Sequence, residues 1–109
     1  MQRMTLEEKV GQILCPMGWQ MYSKNKDEVV LSSLFKQKMD SPMPIGAFWA
    51  VLRADPWTQK NMQTGLNPEL SAKLLNKMQK YAVEKTRLGI PILFAEECPH
   101  GHMAIGTSV

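Results

Sequence analysis

The chain has 109 residues, of which 44% are apolar, and this is enough for one small domain with a hydrophobic core. Its longest apolar runs are far shorter than the roughly 20 residues that cross a membrane, and no signal peptide is visible at the amino terminus. The net charge of +3 comes from basic residues spread along the chain, without the interleaved aromatic residues typical of RNA binding. Composition therefore argues against a membrane span and against a nucleic-acid partner.

The sequence opens with a predicted helix. Thr5 is followed three residues later by Glu8, and this spacing is typical of a capping box at a helix start. Apolar residues then recur with helical spacing at Leu6, Val10, Ile13 and Leu14. Pro16 and Gly18 end this pattern, and the polar and aromatic segment 19–27 is predicted to be a loop.

A second, short helix is predicted over residues 29–39, where apolar residues again recur with helical spacing. The proline-rich run 41–44 ends it, because proline lacks an N–H donor and disfavours helix in the residue before it. Residues 45–52 (IGAFWAVL) are short and apolar, which predicts a strand buried on both faces, as in a parallel sheet. Residues 53–65 are predicted to be a polar loop.

The clearest predicted helix runs over residues 67–88. Asn67 is its N-cap and Pro68 takes the first helical position, while Gly89 supplies the stop because glycine accepts positive φ. A strand at 90–95 follows directly. The order strand, helix, strand predicts a βαβ unit with parallel strands.

The segment EECPHGH, residues 96–102, follows the second strand of this unit. In parallel α/β proteins the functional groups gather at the carboxyl ends of the strands, so this segment is the candidate site. Two parallel strands leave both sheet edges open, and a complete (β/α)8 barrel needs about 250 residues. The chain is therefore expected to be the first part of something larger.

The two cysteines, Cys15 and Cys98, are expected to be free and buried rather than bridged. Residues 96–102 contain usual metal ligands, but no second ligand cluster occurs elsewhere in the sequence, so zinc is the weaker alternative and no metal or cofactor is expected. Cys98 is not expected to act as a nucleophile, because Pro99 is beside it and no separate acid and orienting group are visible.

Two motifs carry a family resemblance. MTLEEKVGQIL (4–14) and RLGIPILFAEECPHGH (87–102), in this order and at this separation, resemble the amino-terminal region of glycoside hydrolase family 3. That family includes β-glucosidases, β-xylosidases and β-N-acetylhexosaminidases, and the resemblance covers residues 4–107. It implies an α/β fold, namely the N-terminal fragment of a TIM-like (β/α)8 barrel with parallel strands, too short to close the barrel. Residues 1–109 would then be a single incomplete domain.

The resemblance also implies an activity for the parent protein. Family members are retaining exo-β-glycosidases that hydrolyse β-linked sugars from the non-reducing end with two carboxylates. The nucleophile and the acid/base residue belong to segments that this chain does not contain, so the chain supplies no catalytic residue and is expected to be inactive alone. Its partner would be an oligosaccharide or β-glycoside substrate. The family often acts in the bacterial periplasm or outside the cell, whereas the sequence itself does not specify a compartment.

Within the resemblance, Glu97 is the acidic residue of the family motif D/E-x-x-H-G. There it accepts hydrogen bonds from hydroxyls of the sugar in the −1 subsite, for which a charged carboxylate with two oxygens is suited. Many β-glucosidases of the family have Asp here, and Glu favours a β-xylosidase or mixed β-xylosidase/β-glucosidase specificity over a hexosaminidase.

The other candidate site residues are expected first to support the site, and direct contact with the substrate is the alternative. Gly101 is expected to allow positive φ in the loop and His100 to orient that loop. Glu96 cannot face the same site as its neighbour Glu97 and is expected to pair with a basic residue or with backbone donors. Arg53 and Asp55 are further candidates for a subsite or a loop brace. Trp19 is expected first to pack in the core or at an interface, and its alternative role is to line a subsite.

A second function stays open. The chain could be a non-catalytic α/β carbohydrate-binding or interaction module derived from such a barrel. In either case the open strand edges predict self-association or a need for the rest of the barrel.

Overall fold

A long helix joins two parallel strands at the centre of the molecule, and the computed structural model describes residues 3–107. The elements in chain order are α1 (Leu6–Ile13), β1 (Tyr22–Asn25), β2 (Glu28–Leu31), α2 (Ser33–Met39), β3 (Ala47–Trp49), α3 (Pro68–Lys85) and β4 (Leu93–Ala95). β3 pairs with β4 in parallel, and β1 pairs with β2 in antiparallel. Within residues 3–107 the fold is thus a small α/β domain with a short parallel sheet and no closed barrel.

The predicted βαβ unit is confirmed, although its strands are shorter than expected. The register pairs Ala47 with Leu93 and Trp49 with Ala95. β3 ends at Trp49 because Ala50 turns the backbone to a φ of 56°. The expectation that the first of these strands is buried on both faces holds for Ala47 and for the fully buried Phe48. In β4, Leu93 is 68% exposed.

Residues 14–18 run beside the other edge of β3. The amide of Trp49 donates to the carbonyl of Pro16 at 3.1 Å, the amide of Gly18 donates to the carbonyl of Trp49 at 2.7 Å, and Met17 forms a parallel bridge with Trp49. Three parallel segments therefore lie side by side in chain order. The sequence did not predict the first of them.

The capping box of α1 is confirmed, because the Thr5 hydroxyl accepts from the amide of Glu8 at 3.1 Å and the Glu8 carboxylate accepts from the amide of Thr5 at 2.8 Å. The apolar stripe of this helix nevertheless points outward, and Ile13 is 82% exposed. Glu8 is turned inward by an ion pair with Arg87, whose Nε lies 2.7 Å from its carboxylate. Gly11 packs so closely on residues 43–44 that a side chain would not fit.

The predicted loop at 19–27 and the predicted helix at 29–39 are partly wrong. Residues 22–31 form the β1–β2 hairpin, in which Lys26 takes a φ of 53° at the turn. Helix α2 begins only at Ser33, since the Ser32 hydroxyl caps it by accepting from the amide of Phe35 at 3.1 Å. The apolar spacing across residues 29–34 therefore spans two elements.

Helix α3 begins as predicted, with the Asn67 side chain accepting from the amide of Leu70 at 2.9 Å. It ends at Lys85, three residues earlier than predicted, and Gly89 has the expected positive φ of 62° only beyond the end of the helix. The Thr86 hydroxyl makes the transition, donating to the carbonyl of Ala82 at 2.6 Å and accepting from the amide of Gly89 at 3.2 Å.

The core lies between the sheet and the helices. Phe48 of β3 packs against Phe35 of α2 with ring centroids 5.7 Å apart, and Leu74 and Met78 of α3 are fully buried in the same cluster. None of the helices found in residues 3–107 combines the length and the apolar character that a membrane span requires.

Candidate functional site

The carboxyl ends of β3 and β4 meet, and two loops continue from them. Glu96 follows β4 and accepts a hydrogen bond from the amide of Leu52, which follows β3, at 3.2 Å. This is the kind of backbone donor expected for Glu96. The later part of the second loop returns over the first, because the amide of Ala54 donates to the carbonyl of Met103 at 2.7 Å. The two loops thus form one surface.

Three charged side chains form a line across this surface. The Arg53 guanidinium contacts Asp55 through Nε at 2.7 Å and faces Glu97 through Nη1 at 3.6 Å. Asp55 is 5% exposed at its side chain, whereas the side chain of Glu97 is 64% exposed. The line therefore runs from a buried anchor to an accessible carboxylate.

Asp55 is held by a tight turn. Its carboxylate accepts from the amide of Thr58 at 2.9 Å, and the Thr58 hydroxyl accepts from the amide of Asp55 at 3.1 Å. Burial alone would raise the pKa of Asp55, but the hydrogen bonds from Thr58 and from the Arg53 guanidinium outweigh it and leave that pKa below its usual value. Asp55 is therefore a fixed negative charge that orients Arg53.

All three tryptophans of the chain form one cluster beside this line. The ring centroid of Trp19 lies 4.8 Å from that of Trp57 and 6.4 Å from that of Trp49, and the last two are 6.2 Å apart. The Arg53 guanidinium carbon lies 4.9 Å from the centroid of the Trp57 ring, a distance suited to a cation–π contact. Trp57 is nevertheless 56% exposed.

The loop after Glu97 has the expected glycine conformation. Gly101 has a φ of 94°, a region that glycine reaches without penalty. His100 is exposed on this loop, and the Cys98 sulfur lies 3.9 Å from Nδ1 of His102. The Thr107 hydroxyl lies close to the carbonyls of His102 and Ala104, at 2.6 and 2.7 Å, which ties down the end of the loop.

The cysteines are free, as expected, but the expectation that they are buried is wrong. Cys15 lies on the sheet-edge segment after α1, and Cys98 lies in the loop beyond β4, so neither belongs to the packed part of its neighbouring element. In the part of the chain that the structure describes, no three His, Cys, Asp or Glu side chains come together as a metal site would require.

The surface at Glu97 is open. A pocket of about 460 Å³ is lined by Asp55 together with Lys60, Met62 and Ile105 among others, and Glu97 does not line it. A ligand that engages Glu97 would therefore bind across the two loops rather than inside this pocket.

Of the candidate residues, the structure brings together Arg53, Asp55, Glu96 and Glu97, and it sets Trp19 beside them through the tryptophan cluster. The sequence did not predict that Trp57 lies beside these residues. The spacing R-x-D-x-W at 53–57 is the signal that could have suggested it, because all three residues follow the end of one buried strand.

The search of protein-family models finds no match for this chain, and the search of curated proteins finds no significant match. The resemblance to glycoside hydrolase family 3 therefore depends on the motifs at 4–14 and 87–102.

Proposed function

We propose that this chain is part of the amino-terminal TIM-like barrel domain of a glycoside hydrolase family 3 enzyme. The parent would be a retaining exo-β-glycosidase of the β-glucosidase or β-xylosidase type, which removes β-linked sugars from the non-reducing end. Glu97 would bind hydroxyls of the sugar in the −1 subsite, while the nucleophile and the acid/base residue would come from other segments of the enzyme.

One observation carries the proposal. The carboxylate of Glu97 stands beyond the carboxyl end of a parallel strand, is 64% exposed, and faces the Arg53 guanidinium through Oε2. A carboxylate oriented from one side and open on the other can accept charge-assisted hydrogen bonds from neighbouring sugar hydroxyls. Carboxyl ends of parallel strands are also where (β/α)8 enzymes bind their substrates.

The sheet supports the barrel part of the proposal. Residues 14–18, β3 and β4 are parallel and adjacent in chain order, as successive barrel strands are. Phe48 faces the helices, whereas Leu93, which alternates to the opposite face of the sheet, is largely exposed. In a complete barrel that opposite face would turn toward the packed interior.

Sugar binding tests the role of Glu97. We expect the chain to bind methyl β-glucoside or methyl β-xyloside in isothermal titration calorimetry, and Glu97→Gln to weaken that binding by roughly tenfold, since hydrogen bonds to a charged acceptor are lost. Glu84→Gln changes an exposed carboxylate on α3 in the same way and serves as the matched control. Equal affinities of the Glu97→Gln variant and the unmodified chain would refute the assigned role.

Activity tests the other half of the proposal. We expect the 109-residue chain to release no product from aryl β-glucosides or aryl β-xylosides. Turnover above background, abolished by a substitution within this chain, would contradict the placement of both catalytic carboxylates in other segments.

The exposed apolar residues favour a second candidate function, a non-catalytic carbohydrate-binding or interaction module. Leu6, Ile13 and Leu93 are large, apolar and largely exposed, as expected for surfaces that another protein covers. The reading frame of the gene separates the candidates. A continuation with a later Ser-Asp segment would favour the glycosidase, and an immediate stop codon would favour the module.

A further inference from the structure

The tryptophan cluster has no assigned role in the proposed site, although it adjoins Glu97. We propose that Trp57, backed by Trp19 and Trp49, is a stacking subsite for the second ring of a two-ring β-glycoside whose first ring is held at Glu97. The ligand class is a glycoside with a flat second ring, either a β-linked sugar or an aryl group. This inference deepens the proposed function and rests on it.

The geometry sets both contacts within reach of one ligand. Arg53 lies between them, with its guanidinium carbon 4.9 Å from the Trp57 ring centroid and its Nη1 3.6 Å from the Glu97 carboxylate. The guanidinium carbon and Nη1 are joined by one C–N bond. The centroid of the Trp57 ring and the Glu97 carboxylate are therefore at most roughly 10 Å apart. A disaccharide or an aryl glycoside can span any separation up to that limit.

The Trp57 ring is held in advance of any ligand. It lies inside the turn that the Asp55 and Thr58 hydrogen bonds fix, and Trp19 packs beside it with a centroid distance of 4.8 Å. A ring that is already fixed loses little conformational entropy when a ligand stacks on it, which favours binding.

The exposure of Trp57 also points to a ligand. An indole ring carries a large apolar surface, and most tryptophans bury much of it. Here more than half of the residue is exposed, beside a charged line that could bind the polar rim of a sugar. Flat ligand faces stack on indole with little demand on their identity, so the same platform accepts a pyranose C–H face or an aryl ring.

Binding of one-ring and two-ring probes to the full 109-residue chain tests the proposal. The one-ring probes are methyl β-glucoside and methyl β-xyloside, and the two-ring probes are cellobiose, xylobiose and phenyl β-glucoside. Since every tryptophan of the chain is in the cluster, the tryptophan fluorescence reports on this site, and calorimetry supplies the affinities. We expect at least one two-ring probe to bind about tenfold more tightly than its one-ring counterpart, and the disaccharides and the aryl glucoside distinguish a sugar from an aryl second ring.

The variants separate this subsite from the glycone site. We expect Trp57→Ala to reduce the ratio of two-ring to one-ring affinity to about one, Trp57→Phe to keep part of that ratio, and Ile13→Ala, an exposed apolar control on α1, to keep all of it. Circular dichroism checks that each variant is folded.

The stacking subsite would be overturned by the absence of a two-ring preference in the unmodified chain, or by the same preference after Trp57→Ala. A loss of one-ring and two-ring affinity by equal factors in both Trp57 variants would also overturn it. By contrast, a Glu97→Gln variant that binds one-ring probes normally would overturn the proposed function of Glu97. The role of Trp57 is judged separately, from the ratio of two-ring to one-ring affinity.

Discussion

The two ends of the parallel strands are built in different ways. At the carboxyl ends, hydrogen bonds and ion pairs join the loops to each other, from the Thr58 turn through Asp55 and Arg53 to Glu97. At the amino ends, α1 lies against the start of β3 through a bond from the amide of Gly46 to the carbonyl of Gly11. The apolar stripe of α1 then faces away from the rest of the described chain.

This difference indicates at which end of the strands the chain supplies all the contacts that its own side chains require. Polar groups at the carboxyl ends find partners within the chain, so that the site is held in place by its own loops. Large apolar side chains at the amino ends are left in contact with water, which is the usual mark of a surface that another part of a protein covers. The candidate binding surface and the surface that needs cover are thus on opposite ends of the sheet.

The largest effect is expected at the buried anchor of the carboxyl end. Asp55→Ala removes the carboxylate that holds both Arg53 and the Thr58 turn, and leaves a largely buried guanidinium without that partner. We expect the free energy of unfolding in urea to fall by about 3 kcal/mol. Asp27→Ala, at an exposed position in the hairpin turn, is the control and should change it by less than about 0.5 kcal/mol. Equal small effects of both substitutions would show that the line of charges does not stabilise this end.

The next effect concerns the ion pair between Glu8 of α1 and Arg87. Hydrogen bonding from the Arg87 guanidinium, followed by that from the amide of Thr5, lowers the pKa of Glu8 from its ordinary value of 4.5 to about 2. Because the folded pKa is depressed, the contact stabilises the fold above pH 4.5, and this stabilisation is lost as the pH falls toward 2.

Glu8→Gln isolates this charge, since glutamine can still complete the capping box. We expect the variant to be less stable than the unmodified chain at neutral pH and the two to converge as the pH falls toward 2, measured by urea unfolding across that range. Glu69→Gln, which alters an exposed i,i+4 pair with Lys73, is the control and should show a much smaller convergence. A difference between Glu8→Gln and the unmodified chain that stays constant with pH would contradict the role of the Glu8 charge.

Local signals predicted the elements that depend on local interactions. The caps at Thr5 and Asn67 and the strand–helix–strand order are fixed by neighbouring residues, and the structure has them as expected. The hairpin was missed because Val29 and Val30 fit both an alternating and a helical pattern, and its turn at Lys26 lacks the glycine that usually marks such turns.

Contacts between distant segments could not be predicted. Pro16 was expected to end the ordered pattern because proline lacks an N–H donor. It pairs with β3 through its carbonyl alone, so the missing N–H does not weaken this pairing. The meeting of Trp19 with Trp57 depends on how two loops pack on the sheet, and no periodic pattern encodes it. The cysteines were expected to be buried from their apolar neighbours, yet each lies beyond the packed part of the adjacent element.

The smallest change in stability is expected at the apolar stripe of α1, which makes it the sharpest test of the amino end. Replacing both Leu6 and Ile13 by glutamine should leave the free energy of unfolding within about 0.5 kcal/mol, because both side chains are already exposed. The same double variant should shift the chain from self-associated toward monomeric in light scattering over a range of concentrations. Met62→Gln, which changes an exposed apolar residue in the loop before α3, should not cause this shift.

If the unmodified chain is monomeric at every concentration, the stripe does not drive self-association. If the double variant instead unfolds more easily by several kcal/mol, the stripe is packed within the chain and the contrast between the two ends is wrong.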